Sequence, residues 1–521
     1  MVLNRVNEKL GNDAAPGWQI VLFAGAGSIG FLIILACGDF VYKRTLDHRA
    51  YSDLLWVGLM VGGIVGAVYL YRPLTQGYHL GIEFFRRLQW YHWLWAVIFI
   101  SGLVFHKRTA AEDIAAPVDS AALFRVVLVG AVGTVLLAAL FLRRVEWLRS
   151  AFTGIIGVLL WFDLMTLLST IWSVYWQWTF YKAVEYGVDV CMLAAVMYMV
   201  KTNADYKKFF DWTWILYGVM LLNIWFGCVW DPKDALSKSG IYGQEGVPGI
   251  GVWLQGVVPD VSSNQIGEFA ACFTMVALCR LLPMNRKREN TSWYLFLFVA
   301  GFVTMILAQT RSAIGGFGIA VFLVYLLSSR VLQGAMIVCS SLLMFIVSGL
   351  GDTILDYLKR GQSAAEMSSF SGRLEWWEVA MEKFATYPLT GLGMWAAARF
   401  GVLAKIGFTQ TATIHSDWVE IIVGTGAWGV TPVIILLAMS WWVLVKNTIN
   451  TRLSMEDRQL AYEGMAVLAV VSVRMFFGTD LSLHPPCHFF AALGAAEFLR
   501  RKLKRQESRK QLPGHVSPVR A

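Results

Sequence analysis

The chain has 521 residues, 57% hydrophobic and only 15% charged, with a mean hydropathy of +0.56. A soluble globular domain carries about a quarter charged residues, so this composition excludes one and points to a membrane protein. The net charge of +9 marks no nucleic-acid surface, because the basic residues sit in short runs between apolar segments, as membrane topology requires. The seven cysteines form neither a CxxC pair nor an even-numbered framework, which argues against a disulfide scaffold and against a zinc site.

A helix needs roughly 20 apolar residues to cross the hydrocarbon. Apolar runs fall near 18–38, 51–71, 90–105, 121–142, 151–171, 180–200, 209–230, 263–282, 293–309, 313–329, 331–350, 417–445, 463–481 and 487–499. The first lacks a small-residue cleavage site and is expected to stay as a helix. The predicted fold is therefore an all-α polytopic membrane protein of about 12–14 transmembrane helices. Three parts are expected: N-terminal transmembrane helices over 1–145, a transmembrane core over 146–500, and a basic tail over 501–521.

Lys/Arg bias orients the spans. If they alternate, Arg86-Arg87, Arg143-Arg144 with Arg149, Lys201 with Lys207-Lys208, Arg286-Lys287-Arg288 and the tail from Arg500 all share the cytoplasmic side. Lys43, Arg44 and Arg49 dissent. Two outer segments then stand out, 231–262 and the long loop 351–416. Within the long loop Leu374, Trp377, Met381 and Phe384 recur at helical spacing, which predicts an amphipathic helix that Pro388 and Gly391 stop. Such a helix would lie at the membrane surface with its tryptophans among the headgroups.

Arg311 stands in Gln309-Thr310-Arg311-Ser312, a turn between two spans with almost no loop. An arginine here either snorkels to the interface or supplies a fixed cation for an anionic headgroup, since its planar fork binds phosphate oxygens bidentately. Arg373 follows Ser371-Gly372 at a predicted helix N-terminus, where free N–H groups also favour an anion; the bland reading is an exposed arginine paired with a neighbouring glutamate. His415 lies in Ile414-His415-Ser416-Asp417-Trp418, where the loop returns to the membrane. Its imidazole suits a general base, against the plainer reading of a polar capping residue. Asp417 would cap the next helix or orient that ring, and Glu420 is a back-up base. Among ionisable groups inside spans, Lys182, Glu185 and Asp189 suggest an internal ion pair, and Arg474 would supplement the anion site. No Walker-type loop, HExxH or DxD-like pair is present, so no apparatus for ATP or zinc chemistry is visible and no metal or cofactor is expected.

Several stretches, in order, resemble the O-antigen ligase and Wzy-type polysaccharide polymerase superfamily. Leu168-Ser169-Thr170-Ile171-Trp172-Ser173 resembles its LSxxWS element, and Asn264-Gln265-Ile266-Gly267 its NxxG helix start. Thr310-Arg311-Ser312-Ala313 resembles its arginine turn. Gly372-Arg373 through Pro388-Leu389-Thr390-Gly391-Leu392-Gly393 resembles its outer loop. His415-Ser416-Asp417 with Gly424-Thr425-Gly426 and Gly429 resembles its re-entry segment, although His-Ser-Asp replaces the commoner His-Asn. The resemblance covers about residues 150–480. It implies a glycosyltransferase in a bacterial inner membrane, taking a glycan from undecaprenyl diphosphate to a lipid A-core or glycan hydroxyl. On that resemblance His415 corresponds to the base and Arg311 and Arg373 to the diphosphate-binding arginines, while Asp417, Glu420 and Arg474 stand in support. Ligase and polymerase share these features. A lipid-carrier or solute transporter is the alternative of a different class, and a non-catalytic scaffold a further one.

Overall fold

The computed structural model describes residues 75–103 (except 83), 108–115, 119–142, 148, 151–237, 253–282, 290–328, 332–334, 336, 372–408, 413–450, 453–481 and 484–511. The expected spans near 18–38 and 51–71, most of 331–350, the dissenting basic loop, and the first part of the outer loop lie outside these residues.

The described chain is almost wholly helical. In order it forms α1 (Trp90–Leu103), α2 (Ala110–Ala115), α3 (Ser120–Leu142), α4 (Gly154–Leu168), α5 (Trp176–Met199), α6 (Asn203–Trp230), α7 (Ser263–Leu281), α8 (Thr291–Ala308), α9 (Arg311–Leu327), α10 (Arg373–Thr386), α11 (Asp417–Ile449), α12 (Met455–Phe477) and α13 (Cys487–Gln511). One two-residue antiparallel pair joins Leu236–Ser237 to Trp253–Leu254 in the 231–262 segment. Among the described residues six helices, α4 with its following turn included, are long and apolar enough to cross a bilayer, and α1 and α9 are shorter apolar helices. The chain is an all-α polytopic membrane protein.

Helix starts follow side-chain chemistry. Thr202 and Asp205 form a reciprocal capping box at α6, while Ser262, Ser416 and Ser454 cap α7, α11 and α12. Each oxygen takes an N–H that has no partner within the helix. α12 is the most buried of the six spans and packs against α7, α9, α11 and α13. Its small residues Ala461, Gly464, Ala466 and Ala469 suit close helix approach without a hydrophobic drive between spans.

Of the basic segments that set the expected orientation, Arg86-Arg87, Lys201 to Lys208 and the start of the tail lie among the described residues, and they gather together. Lys208 donates to Arg87 O at 2.5 Å, Asn203 and Lys502 share Asp457, and Arg501 donates to Met197 O at 3.0 Å, all at one end of the bundle. At the other end residues 173–179 meet 392–394, and 415–417 meet 475–481. Residues 501–511 of the expected tail continue helix α13.

The amphipathic helix of the outer loop forms as predicted, over Arg373–Thr386, but buries a different face. Trp376 and Ala380 are inside, whereas Leu374 and Met381 are each 42% exposed. The reason is packing: the helix rolls to set Trp376 and Ala380 against Ala397, Ala398, Val402, Leu403 and Ile414. One indole is therefore taken from the expected headgroup layer into a small apolar core of the loop.

Candidate functional site at the outer loop

Three close-approach contacts assemble the site from distant segments. First, the turn carrying Arg311 is made by Gln309 in the left-handed region (φ 53°), directly between α8 and α9. Thr310 donates its hydroxyl to Ser263 O at 2.9 Å, and a Cβ on Gly267 would meet Thr310 at 2.5 Å. Only glycine lets the start of α7 seat this turn. Arg311 is thus the first residue of α9, at the positive end of that helix.

Second, the segment after α4 grips the loop after α10. Trp172 donates to Thr390 O (2.9 Å), Val174 N to Leu392 O (2.9 Å), Thr179 Oγ1 to Met394 O (2.9 Å), and Met394 N to Ser169 Oγ (3.1 Å). On its other side this loop inserts into a break in α11. Gly426 is non-helical (φ 59°, ψ −156°), and a Cβ there would meet Leu389 at 2.5 Å. Ala427 N then bonds Pro388 O, and Leu392 N bonds Val423 O. A helix break is tolerated at membrane depth when another segment re-satisfies its backbone.

Third, the end of α12 collects the charged residues. Arg474 donates to Glu268 Oε2 (3.2 and 3.4 Å) and to Ser312 Oγ (2.8 Å), and lies 3.6 Å from Asp480. Glu268 also meets His488 Nε2 at 2.7 Å, and His488 meets the Tyr217 hydroxyl at 2.9 Å. Arg373 Nη1 donates to Phe477 O at 3.0 Å. Asp417 N bonds Gly478 O, and its carboxylate accepts the amides of Asp480 (2.7 Å) and Leu481 (2.9 Å).

His415 sits where these meet. Its backbone is left-handed (φ 55°), a conformation non-glycine residues hold at a cost of about 1–3 kcal/mol. The ring lies against Trp376, with centroids 6.1 Å apart and planes at 29°. Neither ring nitrogen is hydrogen-bonded to a described residue. Burial weakens its proton affinity, and the nearby cations Arg373 and Arg474 weaken it further, to about 3 against the usual 6.5. The imidazole is neutral at physiological pH, with a lone pair on one ring nitrogen, and is a weaker base than an ordinary histidine.

The sequence-derived residues divide accordingly. Arg373, Arg474 and His415 act on one another electrostatically, and Arg311 adjoins Arg474 through Ser312. Asp417 does not cap α11. Ser416 takes that role from Val419 N, while Asp417 ties α11 to the segment after α12. Arg474 is 3% exposed and bound to Glu268 and Ser312, so it braces the Arg311 turn from beneath. Glu420 accepts from the Ile414 amide and leaves a buried Oε2 without a partner among the described residues. Lys182 and Glu185 form the expected pair at 2.7 Å, joined by Arg125 at 2.8 Å.

Sequence reasoning missed three features. Trp376 is one. Another is Arg399, which pairs with Asp113 of α2 and donates to Arg108 O at 2.9 Å; both members of the pair are at most 5% exposed. Burial raises the Asp113 carboxyl above its ordinary range, against the pull of Arg399 and Arg108. This pair ties the N-terminal helices to the outer loop, and nothing local in the sequence signals it. The last is His484, held by Asp189 (2.6 Å) and Ser101 (2.9 Å). The order serine, imidazole, carboxylate resembles a nucleophilic triad. Ser101, however, donates to Ile98 O at 2.6 Å inside a fully buried helix turn, so the trio ties α1 to α5. Its signal was the pair of histidines around Pro485-Pro486. Among the described residues no cluster of His, Cys, Asp and Glu has metal-holding geometry.

At one end of the helical bundle the fold thus gathers a partly buried neutral imidazole and the arginines whose charge acts on it. Residues 296–434 match the O-antigen ligase family model. This stretch carries Arg311, Arg373, His415, Asp417 and Glu420, and it is this part of the chain that is similar to the O-antigen ligase family. No curated protein matches the chain.

Proposed function

We propose that the chain transfers a glycan from undecaprenyl diphosphate to an acceptor hydroxyl at the outer, periplasmic face of a bacterial inner membrane. His415 removes the proton from the acceptor hydroxyl as that oxygen bonds the anomeric carbon. The bond from the anomeric carbon to the diphosphate oxygen breaks, and polyprenyl diphosphate leaves from the opposite face with the electron pair. Attack opposite the leaving group inverts the anomeric centre. Arg311 and Arg373 neutralise the charge that develops on the diphosphate, the task a divalent cation performs elsewhere. Arg474 and Asp417 hold those parts in place, and Glu420 is the back-up base.

The observation that carries this reading is the imidazole itself: without a nitrogen partner among the described residues, kept neutral, and under the positive charge of Arg373 and Arg474. A structural histidine at a helix start would be expected to spend a ring nitrogen on a cap or carbonyl. The acceptor is lipid A-core in a ligase or another glycan chain in a polymerase, and both suit the same site. Helix α2, held to the outer loop by the Asp113–Arg399 pair, borders the acceptor side of this reading. A transporter has less support, since the reactive groups sit at one face and no pair of broken helices repeats in two halves of the sequence.

The test is transfer in proteoliposomes with an undecaprenyl-diphosphate-linked oligosaccharide and lipid A-core, with and without EDTA. Wild type should form product with inverted anomeric configuration in EDTA. His415→Ala and Arg311→Ala should form almost none at equal folded protein. Full transfer by both variants would overturn the proposal, as would a retained anomeric configuration.

A further inference from the structure

We propose that Trp376 is the positioning residue that orients the His415 imidazole. This rests on the reading of His415 as the base and names what holds that base in place.

The residues next to His415 in sequence are occupied elsewhere. Ser416 caps α11 through Val419 N, and the Asp417 carboxylate takes the amides of Asp480 and Leu481. A base fixed by a hydrogen bond to one nitrogen is the common solution. Here, among the described residues, the ring is held by its face instead. Trp376 lies between Phe408 (centroids 4.8 Å, planes 60°) and His415 (6.1 Å, 29°). A face contact limits ring rotation while leaving both nitrogens free in the ring plane. The Trp376 indole N–H has no acceptor among the described residues, so its aromatic faces and not its polar edge place it.

The same helix controls the rest of the geometry. Trp377 Nε1 donates to Ile414 O at 3.1 Å, gripping the backbone one residue before His415. Arg373 lies one turn earlier on the face that carries Trp376, Trp377 and Ala380. Helix α10 therefore delivers the diphosphate cation and the ring platform as one rigid piece, anchored to Phe477 O through Arg373. The distance between leaving-group site and base is set by a helix and not by loop conformations.

Two readouts test this on the purified full-length chain. One is kcat and KM with the undecaprenyl-diphosphate-linked oligosaccharide and lipid A-core. The other is the rate at which diethyl pyrocarbonate modifies His415, followed on its peptide by mass spectrometry. Trp376→Leu should lower kcat about 100-fold with KM unchanged, the size expected of a misplaced catalytic group, and should speed modification of the freed ring. Trp376→Phe restores an aromatic face and should return kcat and modification rate toward wild type, which a failure to fold would not do. Wild-type kcat in Trp376→Leu overturns the proposal. So does a fall in kcat with no change in His415 reactivity and no rescue by phenylalanine. If His415→Ala itself keeps full transfer, the assignment of the base fails instead, and the modification rates still decide whether Trp376 holds the ring.

Discussion

Both ends of the bundle pair buried charges, as Arg474 does with Glu268 at the outer one, but the outer end adds to them a histidine with left-handed backbone. At the inner end every prominent carboxylate is matched: Arg280 bridges Asp211 and Glu463 at 2.5 and 2.8 Å, Lys502 holds Asp457 at 2.6 Å, and Glu497 takes Arg500 and Arg501 at 2.8 and 2.6 Å. At the outer end His415 has strained backbone and no nitrogen partner, Glu420 and Trp376 leave polar atoms unpaired among the described residues, and α11 is broken at Gly426. Paired charge holds helices in register. Strain and unpaired polar atoms persist only where the surroundings enforce them, which is the signature of a working surface.

Substitutions should therefore separate the two ends, rate at one and stability at the other. The largest effect is expected for His415→Ala, about a thousandfold loss of kcat, the range for a lost general base, with thermal stability in detergent close to wild type, because alanine keeps the Cβ and with it the left-handed strain. Arg373→Gln should cost about 100-fold, as removal of one donor to developing charge does, and assays of kcat against donor concentration would show it. Asp417→Asn should weaken the two bonds to Asp480 and Leu481, lowering melting temperature and kcat together, by less than either of those. Arg280→Ala should leave kcat per folded molecule untouched while destabilising the protein by about 3 kcal/mol, the cost of orphaning two carboxylates, seen as a lower melting temperature. If Arg280→Ala abolished transfer in folded protein, the division between the ends would be wrong.

Much of the outer end was legible in sequence because local chemistry announces it. Gln309-Thr310 between two apolar runs left room only for a tight turn, and Ser371-Gly372 before Arg373 marked a helix start. The face of α10 was not legible. Spacing favoured Leu374 and Met381, but Ala380 is small enough to approach Ala397 and Ala398, and that long-range fit turns Trp376 inward. Asp417 was misread for a related reason: its partners lie more than 60 residues away, and a capping serine next to it does the local work. Arg399 and Asp113, almost 300 positions apart, carry no local pattern that spacing could detect. Motifs reported which segments matter, and tertiary contact decided what each residue does within them.

The account stands most directly on the protonation state of His415, and the pH dependence of kcat reads it. A base that must be neutral loses activity as pH falls through its pKa. Burial and the two nearby guanidinium groups hold that value at about 3, so wild-type kcat should stay level from pH 8 to about 5. Removing one cation with Arg373→Gln raises the proton affinity of the ring and should bring an acid limb up toward the ordinary histidine range near 6.5. A wild-type profile that already falls near 6.5, with no further shift in Arg373→Gln, would contradict the claim that this face keeps a neutral base among its cations.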